Sequence, residues 1–90
     1  MPSLVDVENL MRILQEKNAV VGFLNYIMLN VQANDLCFSF LKLPKDAYRY
    51  NLDNILLNLA HVQKKMDMGD REVASGINQI RAAINSRLSG

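Results

Sequence analysis

The stretch Asn18-Ala19-Val20-Val21-Gly22-Phe23-Leu24-Asn25-Tyr26-Ile27-Met28-Leu29-Asn30-Val31-Gln32-Ala33-Asn34 runs for seventeen residues without a charge. Its apolar members leave almost no polar face, so it predicts a helix that must be covered on several sides. In a chain of 90 residues the cover comes from the other helices or from a second chain. The run falls short of the roughly 20 apolar residues needed to span a bilayer, and its asparagines and Gln32 argue further against insertion. No membrane association is expected.

Working outward, Ser3 is an N-cap candidate, and Leu4, Val7, Leu10, Met11 and Leu14 recur at helical spacing, which predicts a first helix over about 3–17. Asn18 reads as a break or cap before the uncharged helix, and Gly22 as a place where another helix crosses closely. Asn34-Asp35 offers one end for that helix. Continued helix through Leu36 to Leu43 is preferred, because no second strand-like run exists to pair with an extended segment.

Pro44 makes the clearest break, since proline disfavours helix in the residue before it. Asp46 or Asn51 is then expected to cap a helix carrying Leu52, Ile55, Leu56, Leu59, Gln63 and Met66 on one stripe, ending near Met68-Gly69 with Gly69 as a left-handed cap. Asp70 caps the last helix, in which Val73, Ile77, Ile80, Ile84 and Leu88 alternate at spacings of four and three. The fold class expected is all-α: a single domain over 1–90, built as a small antiparallel bundle of about four helices and dimeric.

Half of the residues are apolar and 21% are charged, a balance that folds and does not stay disordered. Ten basic against nine acidic side chains give a net charge of +1, so no overall field recommends nucleic acid as a partner. Cys37 is the lone cysteine, which excludes an internal disulfide and favours a cytoplasmic chain. The opening Met1 to Glu8 carries acidic residues where a secretory signal needs basic ones.

Chemistry finds no foothold in these residues. His61 lacks a carboxylate or nucleophile one helical turn away, and reads as a solvent-facing side chain. One histidine and one cysteine in unrelated segments do not make a zinc site. Cys37 sits among apolar residues with no basic neighbour to lower its pKa, the setting of a buried structural thiol. The glycines are scattered, so no phosphate-cradling loop forms. No cofactor, metal or small-molecule ligand is expected, and the chain reads as a non-enzyme.

Residues 70–88 superficially resemble a helix-turn-helix, but Gly76 follows Ala74 by two positions where the motif wants four. Arg71, Arg81 and Arg87 also point in different directions around one smooth helix. DNA contact through that helix of a dimeric regulator is therefore the alternative function and not the first.

Tyr48, Arg49 and Tyr50 sit together after the Pro44 turn, and are residue types enriched at interface hot spots. Phe38 and Phe40 diverge by about 200° on a helix, so they cannot both face one small core. Asn30 and Asn34 lie one turn apart on the uncharged helix, placed to fix the register of a packed partner as amides do in coiled coils. Together with Tyr26 these give the candidate partner-binding set: Tyr26, Asn30, Phe38, Phe40, Tyr48, Arg49 and Tyr50. The function expected is a protein–protein interaction module, acting as an adaptor, inhibitor or regulatory subunit in a homodimer or a heteromeric complex.

Overall fold

The structure, a computed structural model, describes residues 17–90. The helix expected over 3–17 lies outside the described residues, save for Lys17. Among the described residues the chain forms three helices and no strand: α1 (Lys17–Phe40), α2 (Lys45–Gln63) and α3 (Arg71–Ser89).

The uncharged run is one unbroken helix. Asn18 does not interrupt it, and Asn34-Asp35 does not end it. Continued helix to Phe40 is favoured because no proline or left-handed residue intervenes. The stop comes at Lys42, which adopts a left-handed φ of 57°. The Cys37 carbonyl then accepts from both the Leu41 and Leu43 amides, at 3.0 and 3.1 Å, and so closes the helix end.

Pro44, in extended backbone, occupies the N-cap of α2 without a side-chain cap, and its carbonyl accepts from the Tyr48 amide at 2.9 Å. Neither Asp46 nor Asn51 is the cap. Asp46 lies in the first turn, where its charge complements the helix dipole, and Asn51 lies inside the helix. The helix also ends earlier than its stripe implies, at Gln63 and not at Met68. Lys65 and Met66 amides donate to the Val62 and Gln63 carbonyls in tight turns, and this curl returns Met66 to the core. Gly69 is not left-handed; its amide donates to Asp67 Oδ1 at 2.9 Å in a side-chain-closed turn. Asp70 caps α3 as expected, with Oδ1 accepting from the Glu72 and Val73 amides.

Contacts at three levels set the helix directions. Lys17 pairs with Asp70 and Glu72, Leu24 faces Gly76, and Asp35 meets Arg87, so α1 and α3 run parallel. Asn34 bonds to Tyr48 and Asn51 at the start of α2, and Arg81 of α3 bonds to Gln63 at its end, so α2 packs antiparallel to both. The core is Val20, Phe23, Leu24, Ile27 and Val31 from α1, Leu52, Ile55, Leu59 and Val62 from α2, and the α3 stripe Val73, Ile77, Ile80 and Ile84. Each fully buried aliphatic side chain of this kind contributes about 1.5–3 kcal/mol.

The close approach expected at Gly22 belongs to Gly76 instead. A Cβ on Gly76 would lie 2.9 Å from Leu24 Cδ1, whereas one on Gly22 would meet nothing within 4 Å. The larger correction concerns cover. α1 buries only one side, and its uncharged composition leaves a second apolar side in water.

Candidate protein-binding surface

Two constructions on α1 stand apart from the core. The first is a polar cluster where its C-terminal third meets the start of α2 and the end of α3. Asn34, the one buried polar residue among the described residues, donates from Nδ2 to the Tyr48 carbonyl at 3.0 Å and accepts from Asn51 Nδ2 at 2.9 Å. Its neighbour Asp35 accepts from the Tyr48 hydroxyl at 2.7 Å. Arg87 Nε bridges both Asp35 oxygens at 3.0 and 2.9 Å, and Nη2 lies 2.8 Å from Oδ2. Arg87 Nη1 donates back to the Ala83 carbonyl, which fixes the guanidinium plane.

The electrostatics follow from this geometry. The Arg87 guanidinium beside Asp35, with help from the Tyr48 hydroxyl, holds its carboxyl below the usual carboxylate range against a desolvation cost. Burial first, and then the adjacent carboxylate, pushes the Tyr48 phenol up. Arg87 is raised by the same ion pair. Phe38 stacks on the Tyr48 ring at 4.5 Å with planes 19° apart, and roofs the cluster. Among the described residues every buried side-chain polar atom has a partner, so the cluster joins three helices at no unsatisfied cost.

The second construction is the outer side of α1. Gly22, Tyr26, Leu29, Ala33, Leu36 and Phe40 are all exposed and recur at spacings of four and three. At 100° per residue they fall within about 40° of one line along the helix, roughly opposite the buried seam of Val20, Ile27 and Val31. Leu29 is 61%, Leu36 57% and Phe40 77% exposed, values unusual for large apolar side chains. Asn25, Asn30, Gln32 and Ser39 border the stripe, all of them neutral. Leu41 continues the exposed apolar surface beyond Phe40.

The candidate partner-binding residues divide between these constructions. Tyr26 and Phe40 lie on the outer stripe. Asn30 lies at its border, half-buried, with Nδ2 donating to the Tyr26 carbonyl at 3.1 Å. Asn34 is not a surface companion of Asn30; its amide is spent inside the bundle on α2. Phe38 and Tyr48 belong to the polar cluster: Phe38 lies on the Tyr48 ring with its other side exposed, while Phe40 stands out on the stripe, so the two diverge as their spacing requires. The tyrosine pair splits, for Tyr50 is exposed on α2 whereas Tyr48 points inward. Arg49 is half-buried.

Leu29, Ala33 and Leu36 were not singled out by sequence, although the four-three spacing that marks them is written there. Asp35, Asn51 and Arg87 gave no local signal, because their partners are far away along the chain.

Other residues are placed as follows. Cys37 is half-buried and not enclosed, since it borders the outer stripe. His61 is half-buried in the last turn of α2 and does not stand fully in solvent. Arg81 donates to the Gln63 side chain, and Arg87 is held by Asp35, which leaves Arg71 as the exposed arginine of α3. Among the described residues no group of three or more His, Cys, Asp and Glu is arranged to hold a metal ion, and no helix is long and apolar enough to cross a membrane. Comparison with known proteins gives no match to a family model, a curated protein or a solved structure.

Proposed function

We propose that the protein is a non-enzymatic protein–protein interaction module, an adaptor, inhibitor or regulatory subunit that works as a dimer or within a heteromeric complex. The observation that carries this reading is the exposed stripe Tyr26, Leu29, Ala33, Leu36 and Phe40 on a helix whose opposite side already holds the core together. Apolar surface of this continuity is costly to leave in water and marks a contact site when it lies on one face of a rigid element. The lone half-buried cysteine suits a reducing compartment such as the cytoplasm.

The test is a surface substitution that spares the core. Leu29→Glu together with Leu36→Glu is expected to keep the far-ultraviolet circular dichroism of the parent and to abolish its assembly, whether with itself or with a second protein. Unchanged association in that variant, or a parent that assembles with nothing, would refute the reading.

A further inference from the structure

Resting on the reading of α1 as a contact helix, the geometry points to its partner: a second copy of this chain, with the two α1 helices packed antiparallel about a two-fold axis level with Val31. Three properties of the stripe lead there.

The first is size. Reversing the stripe about position 31 places Gly22 against the partner's Phe40, Tyr26 against the partner's Leu36, and Leu29 against the partner's Ala33. Two of the three layers thus set a small side chain against a large one, which leaves room in the seam for Phe40 and Leu29, and the Tyr26–Leu36 layer fills the space between them. A parallel in-register pair would instead stack Phe40 on Phe40 and Gly22 on Gly22, too wide at one end and hollow at the other.

The second is register. The four-three spacing of Gly22, Tyr26, Leu29, Ala33, Leu36 and Phe40 is that of a coiled-coil seam, and reversal pairs each residue followed by a gap of three with one followed by a gap of four. This alternation is the layer pattern that two antiparallel helices share. A two-fold axis across the seam also brings Asn30 opposite the partner's Asn30 on one flank and Gln32 opposite the partner's Gln32 on the other. Amides satisfy one another in such symmetric pairs, because each offers both a donor and an acceptor.

The third is charge. From Asn18 to Leu41 the only ionised side chain is Asp35, and it is neutralised by Arg87 on another side of the helix. Self-pairing therefore brings no like charges together. The seam also lacks the charged flanks through which helices select a different chain.

The experiment uses the full chain with Cys37→Ser. Tyr26→Cys and Leu36→Cys are introduced singly and together, and each protein is oxidised mildly at concentrations from micromolar to hundreds of micromolar. Within one helix these positions lie about 15 Å apart and cannot bridge. The double variant is expected to give on the order of tenfold more covalent dimer than either single variant, since only it places thiols opposite each other across the seam. Sedimentation of the parent is expected to show a dimer, and Leu29→Glu a monomer with the fold retained. Equal covalent dimer from Tyr26→Cys alone would overturn the antiparallel arrangement. A monomeric parent over the whole concentration range would overturn self-association. If that monomer still binds another protein and loses it on Leu29→Glu, the inference fails while the interaction-module reading stands; if Leu29→Glu alters no association at all, both fail.

Discussion

Arg87 holds Asp35 through both carboxylate oxygens across a sequence separation of 52 positions, with contacts of 2.8 to 3.0 Å. The pair joins the last turns of α3 to α1, and through the Tyr48 hydroxyl it also reaches α2. Its pH dependence follows in sign from the lowered Asp35 pKa. A carboxyl held lower in the folded chain than in the unfolded one adds stability above its unfolded value, about 3.9, and loses it as pH falls through the folded value. Asp70, lowered by the Val73 amide and by Lys17, acts in the same direction. Urea midpoints of the parent are expected to drop between pH 5 and pH 2. The gap between the parent and Asp35→Asn, present at neutral pH, is expected to narrow over the same range.

Asn34 supports the cluster from inside. Asn34→Ala removes the acceptor of the exposed Asn51 amide and takes a donor from the half-buried Tyr48 carbonyl. It is expected to cost about 1 kcal/mol, measured by chemical denaturation. Asn30→Ala, which within the chain removes only a bond back to the preceding turn, is expected to change the stability of the single chain by less than about 0.5 kcal/mol.

The two helical glycines separate propensity from space. Gly22→Ala is expected to raise the stability of the single chain by up to about 1 kcal/mol, because alanine is the better helix former and its methyl meets nothing within the chain. Gly76→Ala is expected to gain less, since the new methyl presses on Leu24, and Gly76→Val to destabilise. A double-mutant cycle of Gly76→Ala with Leu24→Ala should show coupling between the sites, and the cycle with Gly22→Ala should show none.

Lys42 bears the left-handed conformation that ends α1. Lys42→Gly removes the clash of Cβ with the following carbonyl and is expected to stabilise by about 0.5–1 kcal/mol, read as a higher thermal midpoint.

What the sequence made legible was whatever depends on near neighbours. The α3 stripe from Val73 to Ile84, the Asp70 cap and the Pro44 break all rest on residues a few positions apart, and each stands in the structure. The Asp35–Arg87 pair and the Asn34–Asn51 bond depend on chain reversal and leave no local mark. The uncharged run misled in a particular way. With no charge to divide it, its two seams merged into one apolar block, and only the burial of Val20, Ile27 and Val31 separates them. The C-terminal end of α2 differs from the expectation because Met66 keeps the helical stripe in phase while reaching the core from a tight turn.

The distance between Asp35 and Arg87 along the chain also orders events in time. As the polypeptide is synthesised, α1 and α2 can pair and complete the Asn34 bonds once Asn51 is available, but the seam of Leu24 and Ile27 lacks half its cover until α3 follows. The carboxylate of Asp35 waits longest of all. A chain cut short anywhere before Arg87 would leave the Asp35 carboxylate with the Tyr48 hydroxyl and water in place of its cation, so the last helical turn is what completes the junction of all three helices.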